Sequence, residues 1–177
     1  MPHSTTERIP TERTLVVCLG NDCRGDDAFG PLVAQRLGRR VAANVEVIAH
    51  EGDALSLLDL WQDCGRVILV DAIAIDRAPG TVLHFNLSEA PIPLELGGAS
   101  THALGPGGAI EIARILGQLP RRLEIVAVAG SDFGAGARIS SAVAAQVDAV
   151  ASEIRHMIQD RKPAARETRS PRNTTEE

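Results

Sequence analysis

Residues 14–30 read Thr14-Leu15-Val16-Val17-Cys18-Leu19-Gly20-Asn21-Asp22-Cys23-Arg24-Gly25-Asp26-Asp27-Ala28-Phe29-Gly30. The run Thr14–Leu19 is apolar and rich in β-branched residues, as a buried strand requires. Gly20 and Asn21 both tolerate positive φ and suit a tight turn. Beyond the turn, Phe29, Leu32, Val33, Leu37 and Val41 fall at helical spacing, and Pro31 is tolerated in the first helical turn. The segment therefore reads strand, acidic loop, helix. Asp26 or Asp27 can cap that helix, and Asp26 is assigned to the cap. One cap accounts for one carboxylate, which leaves Asp27 as a candidate for chemistry.

The same alternation continues outward. Val45–Ala49 reads as a second strand and Asp53–Trp61 as a helix. Val67–Val70 is a third strand, and it runs straight into Asp71. After the turn Ala78-Pro79-Gly80, Thr81–Phe85 alternates in character as a fourth strand. Residues 87–107 form a Pro/Gly-rich connection of a length that usually carries function. Ala109–Leu116 is a helix and Leu123–Ala129 a fifth strand. Ser140 caps a last helix that runs to about Asp160. These elements predict an α/β three-layer sandwich: a mostly parallel, mixed five-stranded sheet with helices on both faces. The short turn before the fourth strand favours an antiparallel placement. A strand order beginning 2-1-3 puts the loop with Asp26 and Asp27 and the strand end with Asp71 into one crevice.

The chain has 177 residues, enough for one domain with a real core. The expected organisation is a flexible N-terminus over 1–12, a single domain over 13–161, and a disordered tail over 162–177, where apolar residues almost vanish. Aromatics make up 2% and the net charge is −5, so neither a base-stacking surface nor a basic footprint for nucleic acid is present. No apolar run reaches the ~20 residues of a membrane helix, and no signal-peptide pattern opens the chain. Three cysteines without a CxxC pair argue against a disulfide framework and for a cytoplasmic location. A monomer is expected.

Several reaction classes are excluded by what is missing. Gly20–Gly30 is neither GxGxxG nor a P-loop, and its two carboxylates would repel phosphate. There is no HExxH helix and no GxSxG elbow. Ser131, in Gly130-Ser131-Asp132, has no evident histidine partner. What remains is acidic. Asp71, at the end of a buried strand, is costly there unless bonded or engaged with a ligand. His102, in Ser100-Thr101-His102-Ala103-Leu104-Gly105, lies in the long connection, and His50 after the second strand competes with it. Two carboxylates and an imidazole suit a borderline divalent metal such as nickel or zinc.

At these residues the chain resembles the hydrogenase maturation proteases, which finish the large subunit of nickel–iron hydrogenases. The similarity runs from Leu15 to Ile154. It rests on Gly20-Asn21, Asp26-Asp27 and Gly30 after the first strand, on Val70-Asp71-Ala72, on Ala78-Pro79-Gly80-Thr81, and on Ser100-x-His102-x-x-Gly105. The resemblance implies that Asp27, Asp71 and His102 form a triad with catalytic and metal-contacting roles. The implied metal is nickel carried by the partner, a large-subunit precursor whose C-terminal extension is removed. Ala28, Cys23, His50-Glu51-Gly52-Asp53 and Gly130-Ser131 depart from the family pattern and bear on partner specificity. A non-catalytic metal- or partner-binding module and a small-molecule enzyme are the alternative functions for the same crevice.

Overall fold

A computed structural model describes residues 12–88 and 106–159. His102, most of the long connection and the charged C-terminal tail lie outside the described residues, as does the N-terminus before residue 12.

The strands are β1 (Thr14–Leu19), β2 (Arg40–Ala42), β3 (Val45–His50), β4 (Arg66–Ala74), β5 (Val82–Asn86) and β6 (Arg122–Gly130). The helices are α1 (Phe29–Leu37), α2 (Ala54–Trp61), α3 (Pro106–Ile115), α4 (Ser141–Ala144) and α5 (Val147–Gln159). A 3₁₀ turn, Gly25–Ala28, leads into α1. The sheet order is β2-β3-β1-β4-β6-β5. β1 pairs in parallel with both β3 and β4, and β4 with β6, whereas β2 and β5 are antiparallel edges.

Every residue of β1 is buried, because the strand is covered on both sides. Leu15, Val17 and Leu19 point into a core with Leu57 and Trp61 of α2 and Ile110 and Ala113 of α3. Val16 and Cys18 point the other way, to Phe29 and Val33 of α1 and Val150 and Ile154 of α5. Period-two alternation thus feeds two apolar cores, the arrangement that makes a central parallel strand read as a continuous apolar run.

Three expectations need correction. Among the described residues the sheet has six strands, not five. Val41 belongs to β2 and not to the first helix, which ends at Leu37 where Gly38 turns the chain at φ 76°. A three-residue edge strand carries no periodicity that separates it from another helical turn. Secondly, the C-terminal helix is interrupted. Ser140 does cap it, accepting from the Val143 N–H, but α4 stops at Ala144 and α5 begins at Val147. Thirdly, β4 does not end at Val70. It continues through Asp71 to Ala74, because β6 pairs with it as far as Gly130.

Candidate active site

β1 is where the strand order reverses: the chain goes through α1 to β3 on one side and returns through α2 to β4 on the other. The crevice beyond the carboxyl ends of such strands is the usual ligand site. β1 pairs with β4 only as far as Cys18 opposite Val70. Asp71 is therefore the first residue of β4 beyond its partner, with the Gly20–Gly30 loop packed into the space that β1 vacates.

Two glycines make that packing possible. Gly20 has φ 127°, and a Cβ there would strike the carbonyl oxygen of Asp27. A Cβ on Gly30 would strike the Leu19 carbonyl. The start of α1 thus lies directly on the end of β1, and Asp27 stands over Gly20. The Asp27 carboxylate accepts the Asn21 N–H at 3.0 Å.

Asp27 and Asp71 meet electrostatically. Burial pushes the Asp71 carboxyl up to about 7, the negative charge of Asp27 adds to the rise, and the Ala72 N–H opposes it. Burial also raises Asp27, against the Asn21 N–H and the positive charge of Arg24. Two carboxylates, one on the 3₁₀ turn and one on β4, are both held above their ordinary range, and the charge of Asp27 reaches Asp71. Such a pair binds a proton or a cation readily near neutral pH. Among the described residues no three His, Cys, Asp or Glu side chains gather as a metal cluster.

Asp26 does something other than cap the helix. The residue preceding α1 is Ala28, and no side chain caps it. The Asp26 side chain is fully buried and reaches the loop after β6. Its carboxylate accepts from the N–H groups of Ser131 (2.7 Å), Asp132 (3.2 Å) and Ser140 (2.7 Å), and from the Ser131 hydroxyl (3.3 Å). Burial opposes ionisation of this carboxyl, yet these donors outweigh it and hold the pKa below the usual range. The only hint in the sequence was the doubled acid, one more than a cap needs.

The competing candidates are committed elsewhere. His50 Nδ1 accepts the Gly52 N–H at 2.8 Å, so the proton of a neutral ring sits on Nε2 and is donated to Ser56 Oγ at 2.8 Å. Ser56 Oγ in turn donates to Asp53. Wired in this direction, Ser56 cannot pass its proton to His50, and the group is no nucleophile–base pair. Cys23 is exposed, but its thiol bonds Asp22, and that bond and charge raise its pKa, disfavouring the thiolate.

Comparison with known proteins gives this geometry a context. The family model for hydrogenase maturation proteases (HycI) matches residues 31–157. The chain is similar to the hydrogenase expression/formation protein HupD of Rhodobacter capsulatus, 29% identical over 152 residues, which are 82% of this chain and 71% of that protein. It is also similar to the hydrogenase 2 maturation protease of Escherichia coli, 29% identical over 119 residues, 66% of this chain and 72% of that one. Among solved structures, the hydrogenase-maturating endopeptidase HybD from E. coli superposes with a TM-score of 0.69 at 22% identity, covering 83% of this chain and 92% of its own. The [NiFe] hydrogenase maturation protease HycI from Thermococcus kodakarensis gives 0.64 at 22%, covering 84% and 94%. These superpositions establish the fold. With the match of the family model over most of the described residues, they place this chain in the hydrogenase maturation protease family, as a peptide-bond hydrolase.

Proposed function

We propose that the protein removes the C-terminal extension of a nickel–iron hydrogenase large-subunit precursor after nickel has been installed. The pairing of Asp27 with Asp71 at the carboxyl edge of the sheet carries this reading. Two neighbouring carboxylates that resist joint ionisation favour a site where a cation arrives with the substrate. Oxygen donors accept a borderline divalent ion, and the imidazole of His102 would complete a mixed oxygen–nitrogen set suited to nickel. Nickel here is cargo of the precursor.

The chain's own residues divide the work. Asp71, titrating near neutral pH, is matched to taking a proton from an attacking water. Asp27 faces it from the 3₁₀ turn, held by the Asn21 N–H, and fixes the charge of the pair. His102, outside the described residues, is assigned to metal contact on the family resemblance. Among the described residues no helix is long and apolar enough to cross a membrane, which fits action on a precursor in the cytoplasm.

The test is a processing assay with purified components. Nickel-loaded precursor should be shortened at its C-terminus, while nickel-free precursor and casein should remain intact. Equal cleavage of loaded and unloaded precursor would overturn the nickel requirement.

A further inference from the structure

We infer that Asp26 is a positioning residue: by locking the loop after β6 onto the loop after β1, it sets where Asp27 stands against Asp71. The inference rests on the reading of Asp27 and Asp71 as the working carboxylates.

The joint is larger than one side chain. Besides the donors to the Asp26 carboxylate, the Asp26 N–H donates to the Asp132 carbonyl at 2.7 Å, the Gly25 N–H to Ala137 at 3.1 Å, and the Gly136 N–H to Cys23 at 2.8 Å. Arg24 Nη2 donates to the Phe133 carbonyl at 3.3 Å. The fit is close on both sides. A Cβ on Gly25, which has φ 58°, would strike the Asp132 carbonyl, and one on Gly130 would lie 3.0 Å from the Asp26 Cβ and 2.6 Å from the Phe133 ring.

Placement turns this joint into a device. The joined loops follow β1 and β6, which are not neighbours, since β4 runs between them. The joint therefore crosses the carboxyl end of the strand that carries Asp71. Asp26 and Asp27 are consecutive residues of one 3₁₀ turn, so the backbone of Asp27 moves only if Asp26 lets go. An ion buried with its lone pairs satisfied is stiff, because each lost donor leaves an uncompensated charge. Asp27 itself has the Asn21 N–H as a hydrogen-bond donor. The Asn21 amide is thus a reporter of its position that needs no substrate.

The experiment is hydrogen exchange on the full chain, wild type against Asp26→Asn, beside kinetics on the loaded precursor. In Asp26→Asn the amides of Ser131, Asp132, Ser140 and Asn21 should exchange about tenfold faster or more, with Val17 and Leu69 in the strand core unchanged. The kcat should fall about tenfold or more with KM nearly constant, the mark of a displaced catalytic group. If Asn21 keeps its protection and kcat holds while the 131–140 amides are freed, Asp26 serves only the distal loop and the inference is wrong. Uniformly faster exchange, strand core included, would equally overturn it, as a global stability effect. Should Asp26→Asn not fold, Asp26→Glu keeps the charge and shifts it by one methylene, and the same localised pattern is required of it. Normal processing by Asp27→Asn would instead defeat the functional reading, and the Asn21 exchange would still decide the role of Asp26.

Discussion

Asp27, on the 3₁₀ turn that leads into α1, lies close enough to Asp71 of β4 that its charge is part of what lifts the Asp71 carboxyl to about 7. The larger part is burial, which follows from β4 outrunning β1 and from the glycine-permitted loop that fills the gap. A carboxyl in this state is a poor structural element. It costs stability whenever it ionises, and such costs concentrate where chemistry is done.

That cost has a definite pH signature. The folded-state pKa of Asp71 lies above its ordinary 3.8, so the folded chain holds a proton that the unfolded chain releases between about pH 4 and 7. The penalty is absent below this window, grows as pH rises through it, and is complete above it. Asp71→Asn should therefore be more stable than wild type at pH 8, by on the order of 4 kcal/mol, and no more stable at pH 4. Urea titrations at the two pH values measure this; an equal difference at both would contradict it.

Removing the neighbour separates the two causes. In Asp27→Asn the Asp71 carboxyl should titrate lower than in wild type but still above the usual aspartate range, because burial is the larger cause. Carbon-detected NMR titration of the side-chain carboxyls reads this directly. The same variant should lose processing of the loaded precursor.

The glycine contacts predict a sharp contrast. Gly30→Ala places a methyl group on the Leu19 backbone, where neither partner can yield, and should cost about 3 kcal/mol or more, or prevent folding. Gly107→Ala, in α3, meets nothing within 4 Å and should be neutral or stabilising by up to about 1 kcal/mol. Thermal melts of both variants check the pair.

A further substitution should hurt the fold and spare the chemistry. Arg66 Nε and Glu124 Oε2 pair at 2.7 Å across β4 and β6, with side chains only 13% and 12% exposed. Glu124→Gln leaves the guanidinium without its counter-charge and should cost about 3 kcal/mol. Because both residues sit at the amino ends of their strands, away from Asp71, kcat of the folded variant should match wild type.

The α/β class, the central strands and the acidic residues were legible in the sequence, because each depends on neighbours a few positions away. Apolar runs such as Leu15–Leu19 report burial on two faces, and Ser140 and Asp53 announce helix starts with their own side chains. The Gly20-Asn21 and Ala78-Pro79-Gly80 motifs sit at turns whose chemistry is local as well. What the sequence did not carry were the outcomes of pairing at a distance. β4 extends past Val70 only because β6 accompanies it, Val41 becomes a strand only because β3 offers an edge, and Asp26 is a clamp only because residues 131–140 come to meet it. A buried carboxylate accepts whichever N–H groups the fold delivers, and a stretch of sequence does not contain its partners from across the sheet. The chain alone thus determined that acidic groups follow the apolar runs Leu15–Leu19 and Val67–Val70. Tertiary structure decided which one, Asp26, is held ionised by buried donors, and which two, Asp27 and Asp71, are raised by burial, with the charge of Asp27 adding to the need of Asp71 for a proton or a cation.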